Sequence, residues 1–228
     1  MPQTAPLPQS DPAPQPPQIV LVHIGKCGGS TLRAALESSA TKVDIITHGY
    51  QPPLGPQYRY YITLRDPISR ATSAFYWRRK LVLTEARQPD RFPGEAQILR
   101  YYGSLNTLAE ALYCADGSPH ALAQGHFRAI HHLSEDIGFY LQELLANSQP
   151  DQILGVTLQE TLAADLLRLF GTTNPERIHD NRQPDPSEDR SLSPQGATNL
   201  RRFLRADFDC IKQLSTWGKI PAQAYPWL

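Results

Sequence analysis

Three groups of residues have types and spacings suited to chemistry on an anion. The first is "HIGKCGGST", residues 23–31. Gly25, Gly28 and Gly29 let the backbone turn sharply, and the amides near Ser30 and Thr31 then face into the turn at a helix N-terminus, a geometry that binds an anion without further help. Lys26 adds a point charge, and the two hydroxyls are donors to phosphate oxygens. The second group is "LRDPISRATS", residues 64–73. Arg65 stands at the end of a strand and offers a planar fork to a second phosphate, Ser73 follows about two helical turns later on the same edge, and Arg70 is a further positive charge. The third is His48 in "DIITHGYQPP", just beyond another strand. An imidazole with an ordinary pKa of ~6.5 is neutral often enough near pH 7 to accept a proton.

Each group also has a plain structural reading. The glycines suit a tight strand-to-helix connection with Lys26 in water, Arg65 suits an ion pair with Asp66, Ser73 suits close helix packing, and His48 suits a surface turn. The carboxylates of Glu37, Asp44 and Asp66 are a reserve of acid–base groups, Asp66 fitting better as a helix cap. His23 reads as a packed residue of the first strand, and His126, His131 and His132 as surface helix residues or contributors to an acceptor cleft. The pattern HxxxxHH lacks a companion carboxylate at a recognised interval, so no metal site is expected. Phe75 to Lys80, with Arg100, Tyr101 and Tyr102, mix rings and cations that suit either a sugar-facing surface or an amphipathic helix exterior.

The order of residues in the first loop excludes the commonest nucleotide motif. Walker A places Lys after the last Gly and directly before Ser or Thr, whereas Lys26 precedes the Gly28-Gly29 pair, and GxGxxG is absent at this turn. A nucleotide-dependent kinase is disfavoured accordingly.

The elements that must hold these loops follow from periodicity. "QIVLVHI", "VDIIT", "YRYYITL" and "DQILGVT" read as strands. "STLRAALESS" reads as a helix with Leu32, Ala35 and Leu36 inward, and "DPISRATSAFYWRRKL" as a helix capped by Asp66 with Pro67 at its first position. "HHLSEDIGFYLQELLANS" and "LQETLAADLLRLFG" are further helices, the latter stopped by Gly171; the stretch from 172 to 194 is a long loop, and "QGATNLRRFLRADFDCIKQL" closes the chain in helices. The segment from about 81 to 130 lacks β periodicity and is expected to supply a helical lid or a substrate-facing layer. Strands alternating with helices predict an α/β fold with a central, mostly parallel sheet flanked by helices. In such sheets ligands lie outside the carboxyl ends of the strands, here the loops after Ile24, Thr47 and Leu64.

Residues 1–18, rich in Pro and Gln, read as a disordered leader, leaving 19–228 as a single domain. Twenty-two basic residues balance twenty-two acidic ones, which gives no global field for nucleic acid or an anionic membrane. Cys27, Cys114 and Cys210 are scattered without metal-ligand or CxxC spacing, which fits a reducing compartment. With no secretory signal and no apolar run of ~18 residues, the expectation is a cytoplasmic protein without a membrane anchor.

The two anion modules together resemble a known family. "HIGKCGGSTL" is similar to the "HIPKTGGTSL" loop of the Golgi-type and bacterial carbohydrate sulfotransferases, "LRDPISRATSAFYW" to their "LRDPxxRxxSxY" element, and "DQILGVTLQETLAADLLRLFG" to their "FVGLTERFEESLxLLxxLLG" segment. The resemblance spans about residues 19–215 and implies a P-loop-like sulfotransferase fold that uses 3′-phosphoadenosine 5′-phosphosulfate (PAPS) as cosubstrate. It implies that Lys26, Cys27, Gly28, Gly29, Ser30 and Thr31 hold the 5′-phosphosulfate, that Arg65 and Ser73 hold the 3′-phosphate, that His48 is the catalytic base, and that Lys26 stabilises the leaving phosphate. The acceptor is then a hydroxyl of a carbohydrate or small hydroxylated metabolite; a nucleotide-binding scaffold without turnover is the alternative. The chain departs from the family at Gly25 (usually Pro), Cys27 (usually Thr), Gln159 (usually Glu) and Glu160 (usually Arg). With Cys27 in the donor loop, thiol modification is expected to block binding.

Overall fold

Among the described residues four short strands carry the fold: β1 Gln18–Val22, β2 Ile45–Thr47, β3 Tyr58–Leu64 and β4 Ile153–Leu158. The computed structural model describes residues 16–37, 39, 41–172 and 188–228. The proposed leader through residue 15 and the loop residues 173–187 lie outside the described residues. Gln18, taken above as the end of the leader, belongs to β1 and pairs with Tyr58.

All strand pairs are parallel, in the order β2-β1-β3-β4. The chain leaves β1 for β2 on one side and then crosses to β3 on the other. The topological switch therefore lies between β1 and β3, where a crevice opens at the strands' carboxyl ends. This is a mixed α/β, Rossmann-like architecture.

Alternation along the strands divides the core. Val20 and Val22 of β1, with Tyr60, Ile62 and Leu64 of β3, pack on helices α6 (Ile137–Ala146) and α9 (Arg205–Thr216). Leu21 points to the opposite face and meets Leu32, Ala35 and Leu36 of α1 (Gly29–Glu37) and Leu166 of α7 (Leu162–Phe170). The predicted inward positions of α1 are thus the buried ones, as a helical stripe at these spacings requires. α7 ends at Gly171, whose φ of 65° provides the left-handed cap.

α2 (Pro67–Arg79) starts as its sequence predicts. The Asp66 side chain accepts the Ser69 amide at 2.8 Å, and Pro67 occupies the first turn. One π-helical turn, Lys80–Thr84, extends it. The helices that follow, α3 (Glu95–Tyr102), α4 (Leu105–Ala111) and α5 (Ala121–Arg128), join α2 and α8 (Pro194–Phe203) in a separate apolar core around Phe75, Leu99, Leu108, Phe127 and Leu200. The segment expected as a helical lid or a substrate-facing layer therefore packs as a structural layer against α2 and α8. α6 begins at Ile137, capped by Asp136, later than the pattern from His131 suggested. Residues 131–135 instead form the turn that leads into it.

Candidate active site

Loops from all four strand ends enclose one cleft of about 760 Å³. Its wall combines Lys26, Gly28, Gly29, Ser30 and Thr31 after β1, His48 after β2, Arg65 and Ser73 after β3, and Gln159 after β4. Every sequence-predicted site residue except Cys27 lines it.

The first loop is shaped from outside the cleft. The Ile24 amide donates to Thr63 Oγ1 at 3.1 Å, which ties the end of β1 to β3. The buried Arg70 guanidinium donates from Nε to the Gly25 carbonyl at 3.0 Å and from Nη2 to the carbonyls of His132 and Glu135. Arg65 Nη1 donates to the Lys26 carbonyl at 3.4 Å. With these carbonyls engaged by arginines, the amides of Gly28, Gly29 and Ser30 have no acceptor among the described residues. That is the arrangement an anion completes at a helix N-terminus. Arg70, read above as a spare charge for phosphate, is thus a clamp on the loop. Arg65 is only partly committed, since its Nε is buried without a partner.

Lys26 has a φ of 70°, rare for a residue with a Cβ and a form of strain that clusters at functional sites. Its Nζ lies 4.2 Å above the Trp77 ring centroid. Burial, then Arg65 and Arg70, lower its pKa to about 8. Cys27 corrects the sequence reading: its side chain is fully buried in the main core and does not line the cleft. Burial pushes the thiol up to about 12. A small apolar side chain is what this position requires, so Cys serves in place of a hydroxyl; the residue contributes backbone to the loop and no donor to the cleft.

His48 is exposed at the rim, and Tyr140 Oη holds its turn by accepting the Gly49 amide at 2.8 Å. His48 Nδ1 lies 3.1 Å from the His23 carbonyl. A carbonyl oxygen only accepts, so Nδ1 carries the hydrogen and the neutral ring keeps a free lone pair on Nε2. That tautomer is the one a base facing the cleft needs.

Two further histidines line the cleft: His23, read above as a packed residue of the first strand, and His132, for which a place in an acceptor cleft is one of the two readings above. His23 sits 4.5 Å from His48 between ring centroids, and His132 sits 5.7 Å from it on another side. Burial, then His48 and Arg33, lower the His23 pKa to about 4. Both rings press on loop glycines. A Cβ on Gly29 would come within 1.9 Å of the His23 ring, and one on Gly25 within 2.5 Å of His132 Nδ1. Gly25 therefore answers to His132: a Pro there would collide with it. No sequence signal links residues 25 and 132, because only the fold brings them together. For His23 a signal existed in its place just past the last residue of β1, at the end where such sheets bind ligands.

Arg190, which the sequence reading missed, also lines the cleft, held by Glu188 at 2.6 Å and stacked 4.8 Å from the Tyr76 ring. The aromatic and basic cluster largely turns away. Phe75 and Tyr76 are buried, Arg78 is bound to Glu95, Tyr101 is exposed elsewhere, and only Trp77 reaches the cleft. Glu160 is also explained: it accepts the Asp66 amide at 2.9 Å and the Tyr225 hydroxyl at 3.2 Å, while Asp66 accepts Trp227 Nε1 at 2.9 Å. It ties the C-terminal segment to the start of α2, which gives Glu160 a structural role.

The wall is thus a bed of free amides and hydroxyls flanked by Lys26, Arg65 and Arg190, with an imidazole lone pair at the rim. Comparison with family models, with curated proteins and with solved structures finds no match, so the chemistry rests on these residues themselves.

Proposed function

We propose that the chain is a sulfotransferase that moves the sulfuryl group of PAPS to a hydroxyl of a carbohydrate or small hydroxylated metabolite, on a P-loop-like version of this α/β fold. The observation that carries the reading is the meeting, in one cleft, of an amide-lined loop bearing Lys26, a separate Arg65–Ser73 edge, and a histidine with a free Nε2. Two anion sites on adjacent strand ends suit a donor with phosphate groups at both ends of a nucleoside. PAPS supplies an activated sulfuryl group on a good leaving phosphate.

The loop amides of Gly28, Gly29 and Ser30, with Lys26, hold the 5′ end and stabilise the negative charge that grows on the leaving phosphate. Arg65 and Ser73 hold the 3′-phosphate, and Arg190 adds charge on the same cleft. His48 Nε2 takes the acceptor's hydroxyl proton as the acceptor oxygen bonds to sulfur and the sulfur–oxygen bond to the leaving phosphate breaks. Net transfer yields the sulfate ester and adenosine 3′,5′-bisphosphate. A cytoplasmic setting accords with the free cysteines, and no described helix is long and apolar enough to cross a membrane.

The test is incubation with PAPS and a panel of hydroxylated acceptors, read by mass spectrometry. Wild type gives sulfated product, and H48A loses about 10²–10⁴-fold in rate while still binding adenosine 3′,5′-bisphosphate. Bisphosphate binding with no transfer to any acceptor would leave a nucleotide-binding scaffold; equal rates in wild type and H48A would remove the base assigned here.

A further inference from the structure

His131 and His132 are consecutive, and consecutive side chains in a helix or strand diverge widely. Here a φ of 67° at His132 lays the two rings face to face, with centroids 3.9 Å apart and planes 25° from parallel. The Glu135 carboxylate returns to the same spot because its Oε2 accepts the His132 amide at 2.9 Å. One ligand atom from each of His131, His132 and Glu135 then lies within 4.8 Å of the others. His131 Nδ1 is buried with no hydrogen-bond partner, an orphan that asks for a purpose.

We propose that His131, His132 and Glu135 form a binding site for a divalent transition-metal ion of the zinc class. Two imidazole nitrogens and one carboxylate oxygen are the donor set of an open site, in which a fourth position is left to water. Tetrahedral bonds of 2.0–2.1 Å place nitrogens about 3.4 Å apart; because each imidazole coordinates in its own plane, the stacked rings must turn out of their face-to-face arrangement for both to aim at one ion. Burial lowers the pKa of both imidazoles, which favours the neutral form that coordinates metal. Arg70 and Lys26 oppose a cation from the cleft side. Glu135 is the carboxylate that offsets them; Glu95, which accepts the His131 amide at 2.9 Å, is paired with Arg78. The carboxylate missing from the HxxxxHH pattern is thus supplied after the histidine pair, by a turn whose shape the spacing does not reveal.

The test uses the full chain, free of any polyhistidine tag and carrying Cys114→Ser to remove the exposed thiol. Calorimetry with Zn²⁺ alone is expected to give one saturable site per chain, and Co²⁺ the intense visible absorption of a tetrahedral ion. His131→Ala and Glu135→Gln should each weaken binding about 10-fold or more, while His126→Ala leaves it unchanged. Glu135→Gln keeps an acceptor for the His132 amide, so unchanged circular dichroism makes its loss a ligand effect; if His131→Ala does not fold, Glu135→Gln decides alone. No saturable site, or affinity undiminished in the folded variants, overturns the proposal.

Discussion

Between pH 7 and pH 9 the cleft is expected to lose about tenfold in affinity for adenosine 3′,5′-bisphosphate, because of Lys26. Burial, reinforced by Arg65 and Arg70, lowers this ammonium to about 8 in the empty site. A bound phosphate restores the preference for the charged form, so the complex holds more protons than the free protein and affinity must fall as pH rises. The penalty for recharging Lys26 scales as one plus ten to the power of pH minus pKa, roughly 1.1 at pH 7 and 11 at pH 9, or about 1.4 kcal/mol. The phosphate itself has passed its second ionisation near pH 6, so its charge stays constant over the window. Calorimetric titration at constant ionic strength measures the effect. K26R should bind at both pH values without the tenfold slope, since guanidinium stays charged, and K26A should bind weakly and without the slope. A flat profile in wild type, or the same slope in K26A, would refute the placement of Lys26 against the anion.

Thiol labelling should find one reactive cysteine in the native chain, Cys114, and three after denaturation, because Cys27 and Cys210 are buried with their thiols pushed up to about 12; rapid native labelling of Cys27, read by peptide mass, would contradict its burial. Gly25→Ala should cost ~1–3 kcal/mol in urea unfolding by driving a methyl into His132, and His132→Ala in the same chain should recover most of that loss; additive effects would show that the two do not touch. Arg78→Ala should cost ~3–5 kcal/mol, since it strands a Glu95 carboxylate that is fully buried and bridged at 2.6 Å. A loss under 1 kcal/mol in the same assay would mean that the pair is open to water.

What the sequence revealed of this molecule is what local periodicity and strand-end position can carry. The runs at Tyr58–Leu64 and Ile153–Leu158 are dense in β-branched and aromatic residues, and the Asp66-Pro67 start of α2 is a local signal. Once parallel strands are inferred, the loops bearing Lys26, His48 and Arg65 fall at one end of the sheet. What stayed hidden depends on contacts between distant segments. That Cys27 turns into the core and Arg70 lies buried beneath the loop, bonded to its carbonyls, is set by how the loop packs over the start of α2. The approach of His132 to Gly25 depends on the turn before α6, and the cation-and-ring cluster from Phe75 divides between one apolar core, the cleft and the exterior according to which helices arrive behind α2.

The bonds of Asp66 and Glu160 to Trp227 and Tyr225 also bear on when the cleft is completed during synthesis. Asp66 and Trp227 are 161 residues apart, so at ~5–20 residues per second the start of α2 waits roughly 8–32 s for its last partner to be made. A nascent chain that has already folded its sheet still lacks this fastening, and a ribosome stalled short of Tyr225 carries a cleft whose Arg65 edge is not yet pinned.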